Sequence, residues 1–427
     1  MNCQLFLNNT AMLIGLNRQS RTRPSNQGSI KNACRFRGQY CLMSWPIPVF
    51  IKIEYPKPIS WRLWLPTLAA VAAGAAGAVL LIWPHGKSTQ TFQFWATLIG
   101  APLVACALAF GIRLNDWEDE QTDAEECERE QQRLRGMWRE WTRRHLCVLD
   151  AAAFPASTDE IARFAGAKAD LPGNSDRSIT FDWVKGRATA FRRARLLHLI
   201  VRRFADTLAL HKEVIVTLML DDASLGHDVA WTKEVMRIFG HLVPGTTCHV
   251  EVQSAKGSVQ WITRQVDTVD PATRLVIAAQ LWADEEQEHE FSEGAAAFLI
   301  TPSAAQAGSI CRPMASTRDT LETGLSQIKA YQVPPERLAL AWFTRCEEAE
   351  STAIRSAVTE DPKDSTVERL LDKSLGLPGP ANGWIALAIA MEAMRGAGPQ
   401  LVVWRDPASE PLYLCTISPL PQKETTV

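Results

Sequence analysis

The sequence predicts an α/β domain behind an N-terminal pair of membrane-crossing helices, and three observations carry that prediction. Two uncharged apolar runs, Leu63 to Trp83 and Phe94 to Ile112, each have about 20 residues, the length a helix needs to cross a bilayer. Beyond Cys147, short β-rich apolar runs alternate with segments of helical period. Removing the N-terminal region leaves roughly 280 residues, enough for one large or two modest domains with a real core.

Residues 1–62 read as a disordered or extended segment. Met1 to Leu42 is polar, with neither helical nor strand period, and Met43 opens a more coherent stretch, which makes it the expected start of the protein. The opening residues lack the apolar core and small-residue cleavage site of a signal peptide. Pro46 to Pro58 is Pro-rich and extended.

Residues 63–112 form the expected hairpin. Only a helix or a closed barrel satisfies its backbone in lipid, so two adjacent spans imply paired helices. Trp61, Trp64, Trp83 and Trp95 sit near their ends, where aromatic side chains anchor at the interface. Pro66 and Pro102 are tolerated in such helices. Gly74, Gly77 and nearby alanines offer a small-residue face for self-association, and a homo-oligomer is left open. His85-Gly86-Lys87-Ser88-Thr89, between the spans, lacks the earlier Gly of a phosphate loop, since Leu81 stands there.

Orientation follows from the flanks. Arg18, Arg21, Arg23, Lys31, Arg35, Arg37, Lys52, Lys57 and Arg62 precede the first span, and Arg113 follows the second. Positive charge marks the cytoplasmic side, so both termini are expected inside. Ten cysteines without regular spacing suit a reducing compartment. A net charge of −2 with no dominant basic face argues against a nucleic-acid partner.

Residues 113–145 read as a charged helical stalk. Acids crowd its start and arginines its end, which complements the helix dipole. Trp117, Leu134, Trp138 and Trp141 are its few apolar points. Residues 146–427 then carry the α/β pattern. Val214 to Leu220, Cys248 to Val252, Leu275 to Leu281, Glu293 to Thr301 and Leu338 to Thr344 read as strands. Val229 to Leu242 and Trp384 to Met394 read as helices, and Leu401 to Trp404 as a closing strand. Buried strands separated by helices imply a sheet covered on both faces.

Two resemblances accompany these readings. Phe291-Ser292-Glu293-Gly294-Ala295-Ala296-Ala297-Phe298-Leu299 resembles the strand-entry motif of β-ketoacyl synthases and other thiolase-like proteins. Lys373 to Gly383 resembles that family's Lys-containing loop before its C-terminal helix, and Val333 to Arg337 with the following strand takes the place between them. The match covers roughly the last third of the chain. It implies an acyl-transfer fold with a Cys nucleophile at a helix N-terminus, activated by two His or by His and Lys. This chain departs from that pattern. Leu377 stands where one His is expected, and Thr344-Arg345-Cys346-Glu347-Glu348 lacks the other. Lys373 remains alone, and Cys248 opens a strand pattern like a core residue. The resemblance therefore implies a catalytically degenerate copy, with no catalytic, cofactor or metal residues to assign.

The second resemblance is to uncharacterised inner-membrane proteins of type VI secretion clusters, carried by Trp45 to Phe50, Trp61 to Trp64, Phe94-Trp95 and Trp138 to Asp150. It implies a bacterial inner-membrane accessory protein whose partners are membrane lipid and secretion-apparatus or effector proteins. The rival expectation is a membrane-tethered, thiolase-like acyl-transferring enzyme using Cys248 or Cys346. Other constellations are weaker. The acidic run Asp284 to Glu290 reads as a solvated loop rather than a metal site. Asp221-Asp222 and His227-Asp228 flank a loop after a strand, a favoured place for α/β sites, without a nucleophile-elbow Ser. Arg192, Arg193, Arg195, Arg202 and Arg203 lie on a helix and suit anionic headgroups or an acidic partner.

Overall fold

The computed structural model describes residues 45–84, 87–157, 161–165, 171–184, 187–268, 270–284, 289–302, 308–332, 338, 340–358, 366–393, 398–407 and 409–419. The chain divides into two compact units, Val49–Gln131 and Gln132–Val427, the latter joined by the short stretch 45–48. Expectations for Met1 to Leu42, Met43, His85-Gly86 and Val333 to Arg337 lie outside the described residues.

The first unit is the hairpin. Helix α1 spans Trp61–Ile82 and α2 spans Phe92–Thr142, with Pro66 and Pro102 inside them. Both are long and apolar enough to cross a membrane, with mean hydropathy of 2.1 and 1.9 in their most apolar windows and no part of either window buried in protein. Aromatic rings tie the helices at both ends. Trp61 stacks on Phe110 at 5.6 Å, and Trp83 meets Phe94 edge-on at 5.0 Å. The Pro-rich approach runs extended, its Ile51 carbonyl accepting from Gln131 Nε2 at 2.8 Å. The second span and the charged segment are a single helix of 51 residues, because no Gly-Pro break or capping residue separates Ile112 from Asn115.

In the second unit, strands β1 (His145–Pro155), β2 (Glu213–Leu220), β3 (Thr247–Ser254), β4 (Arg274–Gln280), β5 (Gly294–Ile300), β6 (Gly308–Cys311), β7 (Met314–Ser316), β8 (Leu340–Thr344), β9 (Val367–Leu370), β10 (Gln400–Trp404) and β11 (Leu412–Pro419) make one mixed sheet. Its order is β3-β2-β4-β5-β1-β6-β11-β10-β8-β9, with β7 paired to β11. Either half has the same plan. Counting within each half, with β7 left out, the order from the outer edge inwards is third, second, fourth, fifth, first. Within each half the second strand runs parallel to both the third and the fourth, and the fifth is antiparallel to its neighbours. The halves join through β1 and β6, antiparallel, with His145 opposite Cys311.

The helices repeat the plan. In the first half, α3 (Thr189–Leu208), α5 (Asp228–Leu242) and α6 (Ser258–Asp267) follow the first, second and third strands; the four-residue α4 (Asp222–Leu225) precedes α5. In the second half, α7 (Leu321–Gln327), α8 (Glu348–Val358) and α10 (Asn382–Ala393) take those places, with the short α9 (Leu371–Leu375) before α10. Alternation along the strands decides which helix each face meets. Leu275 and Ile277 of β4 join the cluster under α3 and α5, while Val276 and Ala278 point the other way, to α6 and α10. α3 buries Leu196, Leu197, Ile200, Val201, Phe204 and Leu208, one stripe at helical spacing. α10 is apolar all round and buried all round, as a helix covered on every side must be.

The expected strands and helices from Val214 to Trp404 are present. Five strands were not foreseen, β1, β6, β7, β9 and β11, and β1 starts where the stalk was expected to end. Leu401 to Trp404 is not the closing strand, since β11 follows and pairs with it. Among the described residues, Cys106, Cys147, Cys248, Cys311, Cys346 and Cys415 are not in disulfides.

Candidate functional site

Polar side chains gather where β4, β8 and β10 end, at the entries of α6 and α10, the carboxyl ends of parallel strands where α/β folds place their sites. Ser258, the first residue of α6, donates to Asp406 Oδ1 at 3.1 Å. Trp404 Nε1 donates to the same carboxylate oxygen at 3.2 Å and to Ser258 Oγ at 3.3 Å. Ser258, Trp404 and Asp406 are all buried. Burial pushes the Asp406 carboxyl up to about 6, against the opposing pull of its hydrogen bonds to Ser258 and Trp404. Gly383 allows this packing, since a Cβ there would stand 2.6 Å from the Trp404 ring.

Beside it lies a second group. Asn382 Nδ2 donates to Thr344 Oγ1 at 3.1 Å, and Thr344 donates to Asp372 Oδ1 at 2.6 Å. Arg345 follows with φ of 52°, a left-handed conformation that costs a residue with a Cβ about 1–3 kcal/mol. Its N–H donates to Asp372 Oδ2 at 2.7 Å and its guanidinium to the Pro378 carbonyl at 2.6 Å, which hold it there. Burial raises Asp372 and lowers Arg345 from their ordinary values. Gln280, at the end of β4, closes the ring. It donates to the Ser292 carbonyl at 2.6 Å and to Asn382 Oδ1 at 3.1 Å, and accepts from the Ala381 N–H at 2.8 Å.

Glu293, from the strand-entry motif, is the hub of a third group. Its Oε1 accepts from Arg192 and from the Trp282 N–H, and its Oε2 from Thr180 at 2.5 Å. This fully buried carboxylate ties the start of α3 and the segment 177–181 to the end of β4 and the start of β5. Ser292 and Gly376 join the same strap. Glu293 N–H donates to the Ile179 carbonyl at 2.7 Å, and Leu377 N–H to the Arg177 carbonyl at 2.9 Å. Gly376 has φ of 83°, and a Cβ there would strike the Arg177 carbonyl.

These positions decide the thiol question. Cys248 lies inside β3, not at a helix N-terminus, and burial pushes its thiol up to about 12. Cys346 does precede α8, but burial and then the Glu350 carboxylate push it to about 12 as well. A nucleophilic thiol needs the opposite shift. Where a His was sought after β8 stands Arg345, and Lys373 sits on the exposed side of α9 rather than in a loop. The chain can hold a hydroxyl against a carboxylate, at Ser258 and Asp406, but that oxygen is buried and already shared with Trp404.

The other candidates are structural. Asp221 caps α4 by accepting from the Ser224 N–H at 2.9 Å and also accepts from Leu281 at 3.1 Å; Asp222 pairs with Lys256. His227 and Asp228 open α5. Asp284 accepts from the Thr189 N–H and hydroxyl at 2.6 and 2.7 Å, and these bonds hold its carboxyl below the usual range. His289 stacks on Trp282 at 3.6 Å, while 285–288 of the acidic run lie outside the described residues. Among the described residues no cluster of three metal-ligating side chains occurs. Arg192 and Arg203 of the arginine row are ion-paired, to Glu293 and to Asp150. The reading from sequence missed Ser258, Asp372, Trp404 and Asp406. The one available signal was Trp404-Arg405-Asp406, an acid directly behind a buried strand.

No protein-family model and no curated protein sequence matches the chain. Solved structures of the thiolase and ketosynthase kind do. They include AbyA1, a tetronic acid condensing enzyme, at 13% identity and TM-score 0.41, covering 64% of this chain and 99% of that one. ChlB3, described as an acyltransferase, matches at 11% and 0.39, over 65% and 98%. OleA of Xanthomonas campestris matches at 12% and 0.39, over 66% and 98%. Likeness at this level transfers no residue role. On its own strand order, the unit Gln132–Val427 is a mixed α/β fold made of two copies of one plan.

Proposed function

We propose that this chain is a membrane-anchored accessory or adaptor protein, in which a catalytically degenerate thiolase-like domain binds other proteins of a type VI secretion apparatus. The observation that carries the binding reading is the mutual satisfaction of Ser258, Trp404 and Asp406 at the entry of α6. Groups that would serve a reacting substrate are turned to one another, and the thiols at Cys248 and Cys346 are held protonated. The anchor is supported by two helices of membrane-crossing length whose apolar windows bury nothing in protein. The secretion assignment rests on the sequence arrangement from Trp45 to Asp150.

The test is crosslinking in cells that carry a secretion cluster, followed by detergent solubilisation and mass spectrometry of what the tagged chain retains. Secretion-apparatus components above an unrelated membrane-protein control are expected, and their absence removes the secretion assignment. Incubating the same preparation with acyl thioesters is expected to leave Cys248 and Cys346 unacylated. An acyl adduct on either overturns the degenerate reading.

A further inference from the structure

The outward face of α3 carries a row without an ion pair among the described residues. Trp183, Arg187, Phe191, Arg195, His198 and Arg202 follow one another at intervals of three or four residues, which places those within the helix on one side of it. Trp183 is 37% exposed and Phe191 52%, large fractions for aromatic side chains outside a core. The Arg187 guanidinium lies 5.7 Å over the Phe191 ring. From Trp183 to Ala205 the sequence holds Lys185, Arg187, Arg192, Arg193, Arg195, Arg202 and Arg203 and no acid. Arg192 is buried against Glu293 and the exposed Arg203 pairs with Asp150, whereas Arg187, Arg195 and Arg202 are exposed with no carboxylate partner among the described residues. Asp182 and Asp206 stand only at the two ends of the row.

We infer that this face is a docking surface for an anionic phospholipid bilayer, with Arg187, Arg195 and Arg202 taking lipid phosphates and Phe191 and Trp183 entering the headgroup layer. The inference rests on the membrane-anchored reading. Charge complementarity selects an anionic surface, and the interleaved aromatics match the chemistry of side chains that settle at a membrane interface. Tethering selects the bilayer over an acidic protein, because a chain held by α1 and α2 meets that surface at high effective concentration. Each arginine near an anionic leaflet adds roughly a fivefold preference, so three together are enough to matter for a tethered domain.

The experiment uses the full chain in nanodiscs, with p-benzoylphenylalanine in place of Phe191 and photo-adducts identified by mass spectrometry. Co-elution of the chain with the discs is read first, and its failure sinks the anchored reading itself. With the chain incorporated, phospholipid adducts at position 191 are expected in discs containing phosphatidylglycerol. They should fall at least tenfold in phosphatidylcholine discs, and likewise in the Arg187→Gln, Arg195→Gln, Arg202→Gln variant, whose exposed sites leave the fold intact. Equal lipid adducts in both disc types, adducts only to protein, or none would overturn the docking surface while leaving the anchor standing.

Discussion

Asp406 is a carboxyl whose folded state favours the proton. Its pKa rises from 3.8 to about 6 on burial, so the native chain holds a proton over that interval which the unfolded chain has lost. Stability contributed by this group is full below about pH 4 and falls through pH 6, by about 3 kcal/mol. Asp221 and Asp372, also raised, tilt the curve the same way. Asp406→Asn keeps an oxygen for Ser258 and Trp404 but no titrating group. It should flatten the pH dependence of unfolding between 4 and 6 and unfold no more easily than wild type at pH 7.5. An unchanged slope in denaturant titrations across that range would refute the assignment. The residues of this cluster were illegible in the sequence for a physical reason. Ser258 and Asp406 are 148 positions apart and meet only because α6 starts beside the end of β10. Cys248, by contrast, was readable as core, because it sits inside an alternating strand.

At the scale of elements, Glu293 explains why a Glu-Gly-Ala-Ala turn is worth recognising. The glycine lets α10 approach, since a Cβ at Gly294 would stand 2.9 Å from Ile385 Cδ1, and the glutamate gathers α3. Glu293→Ala leaves Arg192 buried with only the exposed Asp284 to pair with, and should cost about 3–5 kcal/mol in chemical unfolding. Glu293→Gln, which keeps the shape and loses the charge, should cost less than the alanine change. Equal stability of all three chains would show the hub to be idle. Long, strongly apolar strands such as β2 and β4 were legible from composition alone. β6, β7 and β9 have only three or four residues each, too few to show a period. β11 was hidden by Pro411 and the two prolines that follow Ser418 nearby, which read as loop.

For the whole molecule, the strongest sequence signal was also the simplest, two runs of uncharged residues that became two helices with their apolar sides uncovered. Ala73→Arg together with Val104→Arg sets one charge near the middle of each span, at a cost of roughly 2.5–3.5 kcal/mol apiece in hydrocarbon. The wild-type chain should stay with membranes through an alkaline carbonate wash, and the double variant should appear in the wash. If both fractionate alike, these helices do not cross a bilayer. The duplication within the unit Gln132–Val427 was not legible, because the halves share strand order rather than residues.

The seam between those halves also sets a schedule. β1 finds β5 and β6 only after about 150 further residues have been made, with His145 waiting for Cys311. Pairings of such sequence separation close late, after the loop entropy between them has been overcome. During synthesis the first half therefore exists for a time with an open central edge, one that invites pairing with another chain. A slowed ribosome or a truncation near residue 300 would lengthen that exposure, and the damage would be aggregation of the nascent chain, not failure of any site.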